Sequence, residues 1–167
     1  MGAIVKLGDV AKVVSGYAFK SASFKDGGPV PVLKIKNIKV GTASLEDAGY
    51  VSESFIDKLA DKFHVKGDEI LISLTGSHMT QPNSVVGRVG RYPRKYPKAL
   101  LNQRAGKIIP NTEKVDSDYL FYVLMQDDIR KEIAQMASGA ASQANVSPSQ
   151  VKSVEFPLPD IKVQRVL

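Results

Sequence analysis

Residues 67–76 read GDEILISLTG. Gly67-Asp68 is a turn pair, residues 69–74 (EILISL) are a nearly all-apolar run of strand length, and Thr75-Gly76-Ser77 breaks the run. Such a strand belongs in a core. Upstream, residues 30–35 (VPVLKI) have a strand's β-branched content, and Pro31 marks an edge or a strand start. Residues 52–62 spell a helix with Ser52 as its cap and Phe55, Ile56 and Leu59 on one face. Residues 7–14 spell a short amphipathic helix through Leu7, Val10, Ala11 and Val14, ended by Ser15-Gly16. Downstream, residues 85–89 and 106–109 are two further short strands, separated by the basic, tyrosine-containing stretch 91–98. Residues 117–136 form the longest predicted helix, capped by Asp116 or Ser117, with Leu120, Val123, Leu124, Ile129, Ile133 and Met136 as its core stripe. Residues 138–147 (SGAASQANVS) are a small, polar loop. Pro148 then opens a short helix through Val151 and Val154, residues 156–159 (FPLP) are extended, and residues 160–167 open another helix. Strands come first and helices gather in the C-terminal half, which predicts an α+β fold rather than a doubly wound sheet.

The chain has 167 residues, 43% of them hydrophobic and 24% charged, the balance of one globular domain with a sizeable core. It has no apolar run of membrane-spanning length and no apolar leader core in residues 1–12. Cysteine is absent, which excludes disulfides and thiolate metal sites and fits a cytoplasmic protein. The net charge of +6 is unevenly spread. Residues 1–40 carry +5, residues 41–69 carry −4, and residues 113–167 carry −2. Between them, residues 70–112 hold seven cations and no acid: Arg88, Arg91, Arg94, Lys95, Lys98, Arg104 and Lys107. Two basic blocks alternating with two acidic ones point to a molecule with one positive face.

Catalytic constellations are missing. No G-x-G-x-x-G or G-x-x-x-x-G-K-[ST] cradle is present, nor a methyl-donor loop with its Asn-Pro-Pro or Asp-Pro-Pro partner. His64 and His78 stand fourteen apart without cysteine or acidic neighbours at ligand spacing, and His64 reads as a partly buried residue at a helix end. Asp160-Ile161-Lys162, with Glu155 upstream, matches half of a nuclease metal site. Placed at a helix start, however, Asp160 reads as a cap.

The groups expected of a DNA reader are present instead. Phosphate affinity needs cations, and base edges need amide, hydroxyl or guanidinium groups. Lys34, Lys36 and Asn37 follow one strand. The loop at residues 75–84 (TGSHMTQPNS) offers Thr75, Ser77, His78, Gln81 and Asn83 after another. Arg88, Arg91, Arg94, Lys95, Gln103 and Arg104 complete the candidate set. The plainer alternatives are that Lys34 and Lys36 protect an edge strand, that Thr75-Gly76-Ser77 is only a turn, and that Tyr92 and Tyr96 cover an apolar edge. Gln143 and Asn145 are expected to bond backbone within their own loop.

Several segments in order resemble the target recognition domain of type I restriction-modification specificity subunits. They are residues 7–24 (LGDVAKVVSGYAFKSASF), 32–38 (VLKIKNI), 67–76, 102–110 (NQRAGKIIP) and, most specifically, 138–159 (SGAASQANVSPSQVKSVEFPLP). The resemblance implies a twisted, β-helix-like, strand-rich recognition subdomain at residues 1–159, helices gathered in its C-terminal half, and the beginning of a spacer helix at residues 160–167. It implies sequence-specific binding of double-stranded DNA and no active site in this chain. The partners it implies are a methyltransferase (modification) subunit and, through it, a restriction subunit. No cofactor belongs to the chain itself, since S-adenosylmethionine, Mg²⁺ and ATP would belong to the partners. A full-length subunit of the family carries two recognition domains, so a chain with one is expected to be a fragment, an excised domain or a truncated half-subunit. The alternatives from other classes are a small Mg²⁺-dependent nuclease using Asp160 and Lys162, and a different nucleic-acid-binding domain.

Overall fold

In the computed structural model, which describes residues 2–81 and 84–167, Ile70–Ser73 is buried at every position. It is an inner strand of a four-stranded antiparallel sheet ordered Ala11–Ser15, Ala105–Pro110, Ile70–Ser73, Val89–Arg91. The absence of alternation in its sequence has a direct cause. Ile70 and Ile72 face one core with Val13, Val89, Ile108, Leu120, Leu124 and Ile133. Leu71 faces the opposite way, into a second core with Leu33, Tyr92 and Leu101. Both faces of the strand are covered, so both must be apolar.

That second core lies against a second four-stranded sheet, ordered Gly49–Val51, Val30–Leu33, Ala99–Leu101, His64–Val65. Its inner pair, Val30–Leu33 with Ala99–Leu101, runs parallel. Pro31 is therefore not on an edge. It is tolerated because pairing with Ala99–Leu101 begins only at Val32, so that ladder demands no N–H from residue 31. Two smaller sheets complete the architecture: Ala3–Lys6 with Glu155–Leu158, and the hairpin Ser138–Ala140/Gln143–Asn145 joined to Thr75–Gly76. Strands and helices are mixed as an α+β fold requires, with Ser117–Leu124 and Asp127–Met136 packed on the first sheet.

Several local expectations change. The segment 7–14 is helical only over Leu7–Val10, and Ala11–Ser15 is a strand in which Ala11 and Val13 point inward and Lys12 outward. The β-branched pair Val13-Val14 and the ladder offered by Ala105–Pro110 outweigh the apolar spacing. The long helix is two helices, Ser117–Leu124 and Asp127–Met136, because Gln126 takes an extended conformation. The Asp127-Asp128 pair then lies in a new first turn, where acids are favoured. Asp116 is the cap of the first helix, accepting Tyr119 N–H at 3.0 Å. The helix expected over 52–62 shrinks to Ser54–Lys58 plus a 3-10 turn, Asp61–Phe63. The third strand of the first sheet lies at Val89–Arg91 rather than 85–89, and Ala99–Leu101 forms a further strand directly after the basic stretch 91–98, where none was expected. The polar loop 138–147 contains the hairpin.

Tyr92 is wholly buried and its hydroxyl donates to Pro97 O, so it belongs to the core rather than covering an edge. Burial, then the neighbouring Tyr96 and Tyr50, push its phenol pKa far up. The folded state thus favours the neutral phenol, and stability is complete below the unfolded value of about 10 and falls as pH rises beyond it. Tyr92→Phe is expected to flatten that alkaline decline in urea-midpoint measurements from neutral pH to above about pH 10. Some slope persists, because burial also raises Tyr119.

Candidate nucleic-acid interface

The strand ends meet at one edge of the molecule. Leu74 N–H donates to Arg104 O at 3.0 Å, Asn102 N–H to Leu33 O at 2.9 Å, Gly16 N–H to Ala105 O at 3.0 Å, and Tyr17 N–H to Leu101 O at 2.8 Å. These bonds stitch the ends of both large sheets to the turn at residues 102–104. Close approach requires glycine at position 16, since a Cβ there would lie 2.1 Å from Asn102 O. The turn displays Gln103 and Arg104 in solvent. Lys34 leaves the end of Val30–Leu33, and Lys36 is exposed in the 3-10 turn Ile35–Asn37. The polar loop after Leu74 projects from the same edge, held against the hairpin by His78 N–H donating to Ala141 O at 2.9 Å.

These side chains are individually positioned. The Lys34 ammonium sits 4.3 Å over the Phe24 ring, which is backed by Phe19 and, through it, Tyr17 and Phe55. A cation over an aromatic face is held without being neutralised. In the sequence this aromatic group is marked only by Tyr17, Phe19 and Phe24 spaced along one polar segment. In the loop, His78 Nδ1 accepts from Thr80 N–H at 3.3 Å. Ser84 Oγ donates to Ser77 O at 2.6 Å and Arg130 Nη2 to Ser84 O at 2.8 Å, bracing the loop on the helix Asp127–Met136. Gln81 is exposed at the mouth of a cavity of about 240 Å³ between loop and helix.

Other expected contacts are used internally. Asn37 is fully buried. Its Oδ1 accepts Lys34 N–H, and its Nδ2 donates to Ser44 O and Glu46 O, so no amide edge is left for a base. Thr75 is buried, the single hydrogen of its hydroxyl shared between Ala144 O and Asn145 Oδ1. Asn145 thus ties two strands together instead of bonding backbone in its own loop, while Gln143 is exposed. Arg91 is engaged as an internal clamp. It donates to Asp68 O, to Ser117 Oγ at 2.7 Å and to the Asp118 carboxylate at 2.6 Å, above the Phe121 ring. Arg88 is half-buried with Nη1 on Ile38 O, and burial, then Arg130, holds its pKa below the ordinary guanidinium value.

The basic block is therefore not one face. Ala105 pairs with Ser73 but Arg91 with Ile70, which places Arg91, Arg94 and Lys95 at the opposite end of the sheet from Arg104. Arg94 there pairs with Asp68, and Lys95 stands over Tyr96. Asn83 lies outside the described residues. His64 is buried, with Nε2 on Leu59 O at 3.0 Å. Asp160 caps Ile161–Gln164 by accepting Lys162 N–H, and no metal-competent cluster exists among the described residues. None of their helices is long and apolar enough to cross a membrane.

Residues 3–167 match the model of the type I restriction modification DNA specificity domain. Among curated proteins, the chain is 28% identical over 167 residues to the type I restriction enzyme MjaVIII specificity subunit of Methanocaldococcus jannaschii, covering 98% of this chain and 37% of that protein. The putative MjaX specificity subunit of the same organism is 24% identical over 161 residues, covering 96% and 36%. The chain thus spans little more than a third of the relatives' length. Among solved structures, the HsdS subunit from Thermoanaerobacter tengcongensis superposes with a TM-score of 0.69 at 16% identity, over 98% of this chain and 34% of that one. The S subunit from M. genitalium gives 0.65 at 15%, over 99% and 37%. At such identities the likeness is one of fold.

Proposed function

We propose, for a chain that belongs to the type I restriction modification DNA specificity domain family, that it reads double-stranded DNA at the edge where its strand ends converge. The carrying observation is the gathering of Lys34, Lys36, Gln103, Arg104 and the loop residues Ser77, His78 and Gln81 on one stitched edge. Cations there hold phosphates, while the amide, imidazole and guanidinium groups match base edges, and rigid strands supply the tolerance that bidentate contacts need. Residues 1–159 act as the target recognition domain, and residues 160–167 lead into a spacer helix. The chain performs no reaction itself and works in the cytoplasm. Catalysis, with S-adenosylmethionine, Mg²⁺ and ATP, belongs to modification and restriction subunits that assemble with the specificity subunit.

A selection from random duplexes, followed by binding curves on the selected and a random duplex, tests this reading. Gln81→Ala is expected to lose about 1–3 kcal/mol on the selected site and little on random DNA. Arg104→Ala is expected to lower the slope of log affinity against log salt by roughly one. Arg91→Ala leaves that slope unchanged, because its guanidinium is already occupied. A chain that enriches no sequence in the selection, or whose affinity ignores salt, does not read DNA.

A further inference from the structure

A second basic surface lies below the reading edge, where the two large sheets fail to overlap. The second sheet covers the first over Leu71 and Ala105 but stops short of the edge strand Ala11–Ser15. Lys12 pairs with Ile109 and Val14 with Lys107, and these four residues form the floor of a groove of about 680 Å³. Its walls come from the segment 61–69 and from Lys98. Lys12, Lys62, Lys66 and Lys98 line it, and none of the four forms an ion pair among the described residues. Asp61 and Glu69 line it too, but Glu69 is matched by Lys107, so the groove keeps an excess of positive charge.

One buried group points to a ligand. Lys107, only 4% exposed, donates to His64 O at 2.6 Å and to Glu69 Oε2 at 3.1 Å, which uses two of its three N–H groups. The lining contains no arginine, asparagine or glutamine for bidentate base contacts, and its one imidazole, His64, is buried. Ammonium groups are compact point charges suited to phosphate. Position decides the source of that phosphate. Lys107 lies three residues beyond Arg104, on the strand Ala105–Pro110 that follows the turn at 102–104, about 10 Å at strand rise, and Ile109 lies about 17 Å away. At one charge per 3.4 Å of duplex on each strand, that distance spans roughly three to five backbone phosphates.

We propose that this groove is a phosphate-binding track for the backbone flanking the bases read at the strand-end edge. It supplies affinity independent of sequence, and it rests on the DNA-reading function proposed above. The test uses the full chain with Lys12→Gln/Lys66→Gln/Lys98→Gln, surface changes whose fold is checked by circular dichroism. On selected and random duplexes alike, the salt slope is expected to fall by about two to three units, with the ratio of the two affinities unchanged. An unchanged slope in this variant, while Arg104→Ala still lowers it, overturns the groove and leaves the reading edge standing. A wild-type chain that binds no duplex overturns both. Backbone amides of Lys66, Lys107 and Ile109 are expected to shift on adding duplex. Their saturation instead by inorganic pyrophosphate that duplex does not displace assigns the groove to a small phosphate ligand and overturns the DNA track.

Discussion

Replacing Glu69 by Ala is expected to lower stability by about 3 kcal/mol, because it strands a buried ammonium. Lys107 is nearly inaccessible, and Glu69 is its only anionic partner among the described residues, at 3.1 Å. The same carboxylate accepts Lys66 N–H at 2.7 Å through its other oxygen, holding the turn that feeds Ile70–Ser73. Removing it therefore uncompensates a charge and loosens a strand entry. In a domain of this size the loss corresponds to a melting temperature lower by roughly 6–12 °C. The pair itself need not be strongly stabilising, since desolvation opposes attraction between buried charges. The double variant Glu69→Leu/Lys107→Met accordingly recovers most of the loss. A double variant no more stable than Glu69→Ala would show that shape rather than charge compensation dominates. Urea midpoints of wild type, Glu69→Leu, Lys107→Met and the double variant complete the cycle.

The second large effect separates structure from recognition at a residue that looked like a base reader. Asn37→Ala is expected to lower stability by about 3 kcal/mol, since Ser44 O, Glu46 O and Lys34 N–H each lose a partner at a part-buried site around a fully buried amide. Its affinity for the selected and the random duplex, measured where the variant remains folded, is expected to fall by the same factor or not at all. Gln81→Ala shows the reverse pattern, with stability kept and discrimination lost. A specific loss on the selected duplex for Asn37→Ala, at unchanged stability, would place the amide on a base and refute its internal role. The distinction is physical: an amide whose acceptor and both donor hydrogens are engaged has nothing left to offer.

Residues 69–74 announced a strand covered on both faces, because only such a strand tolerates apolar residues without alternation. Asp116 and the Ser147-Pro148 start announced helix ends, because capping is local: Ser147 and Gln150 satisfy each other's backbone three residues apart. The total positive charge and the absence of catalytic motifs are properties of composition. So is the loop of amide and hydroxyl groups after Leu74, whose half-buried Ser77 and His78 and exposed Gln81 sit at the candidate edge.

Tertiary structure decided what depends on partners distant in sequence. Lys12 read as one residue of a short helix until the ladder with Ala105–Pro110 made residues 11–15 a strand and turned it outward into a groove. Residues 138–145 pair with each other as a hairpin, and its second strand is extended into a sheet by the distant segment Thr75–Gly76. The cations of residues 70–112 form one block in sequence, but strand direction sends Arg91 and Arg94 to one end of the sheet and Arg104 to the other. Whether a polar side chain is free to meet a ligand depends on which backbone groups the fold brings beside it. Asn37, Thr75 and Arg91 have the chemistry of DNA contacts, and it is spent on carbonyls, hydroxyls and a carboxylate from segments that only folding places within reach.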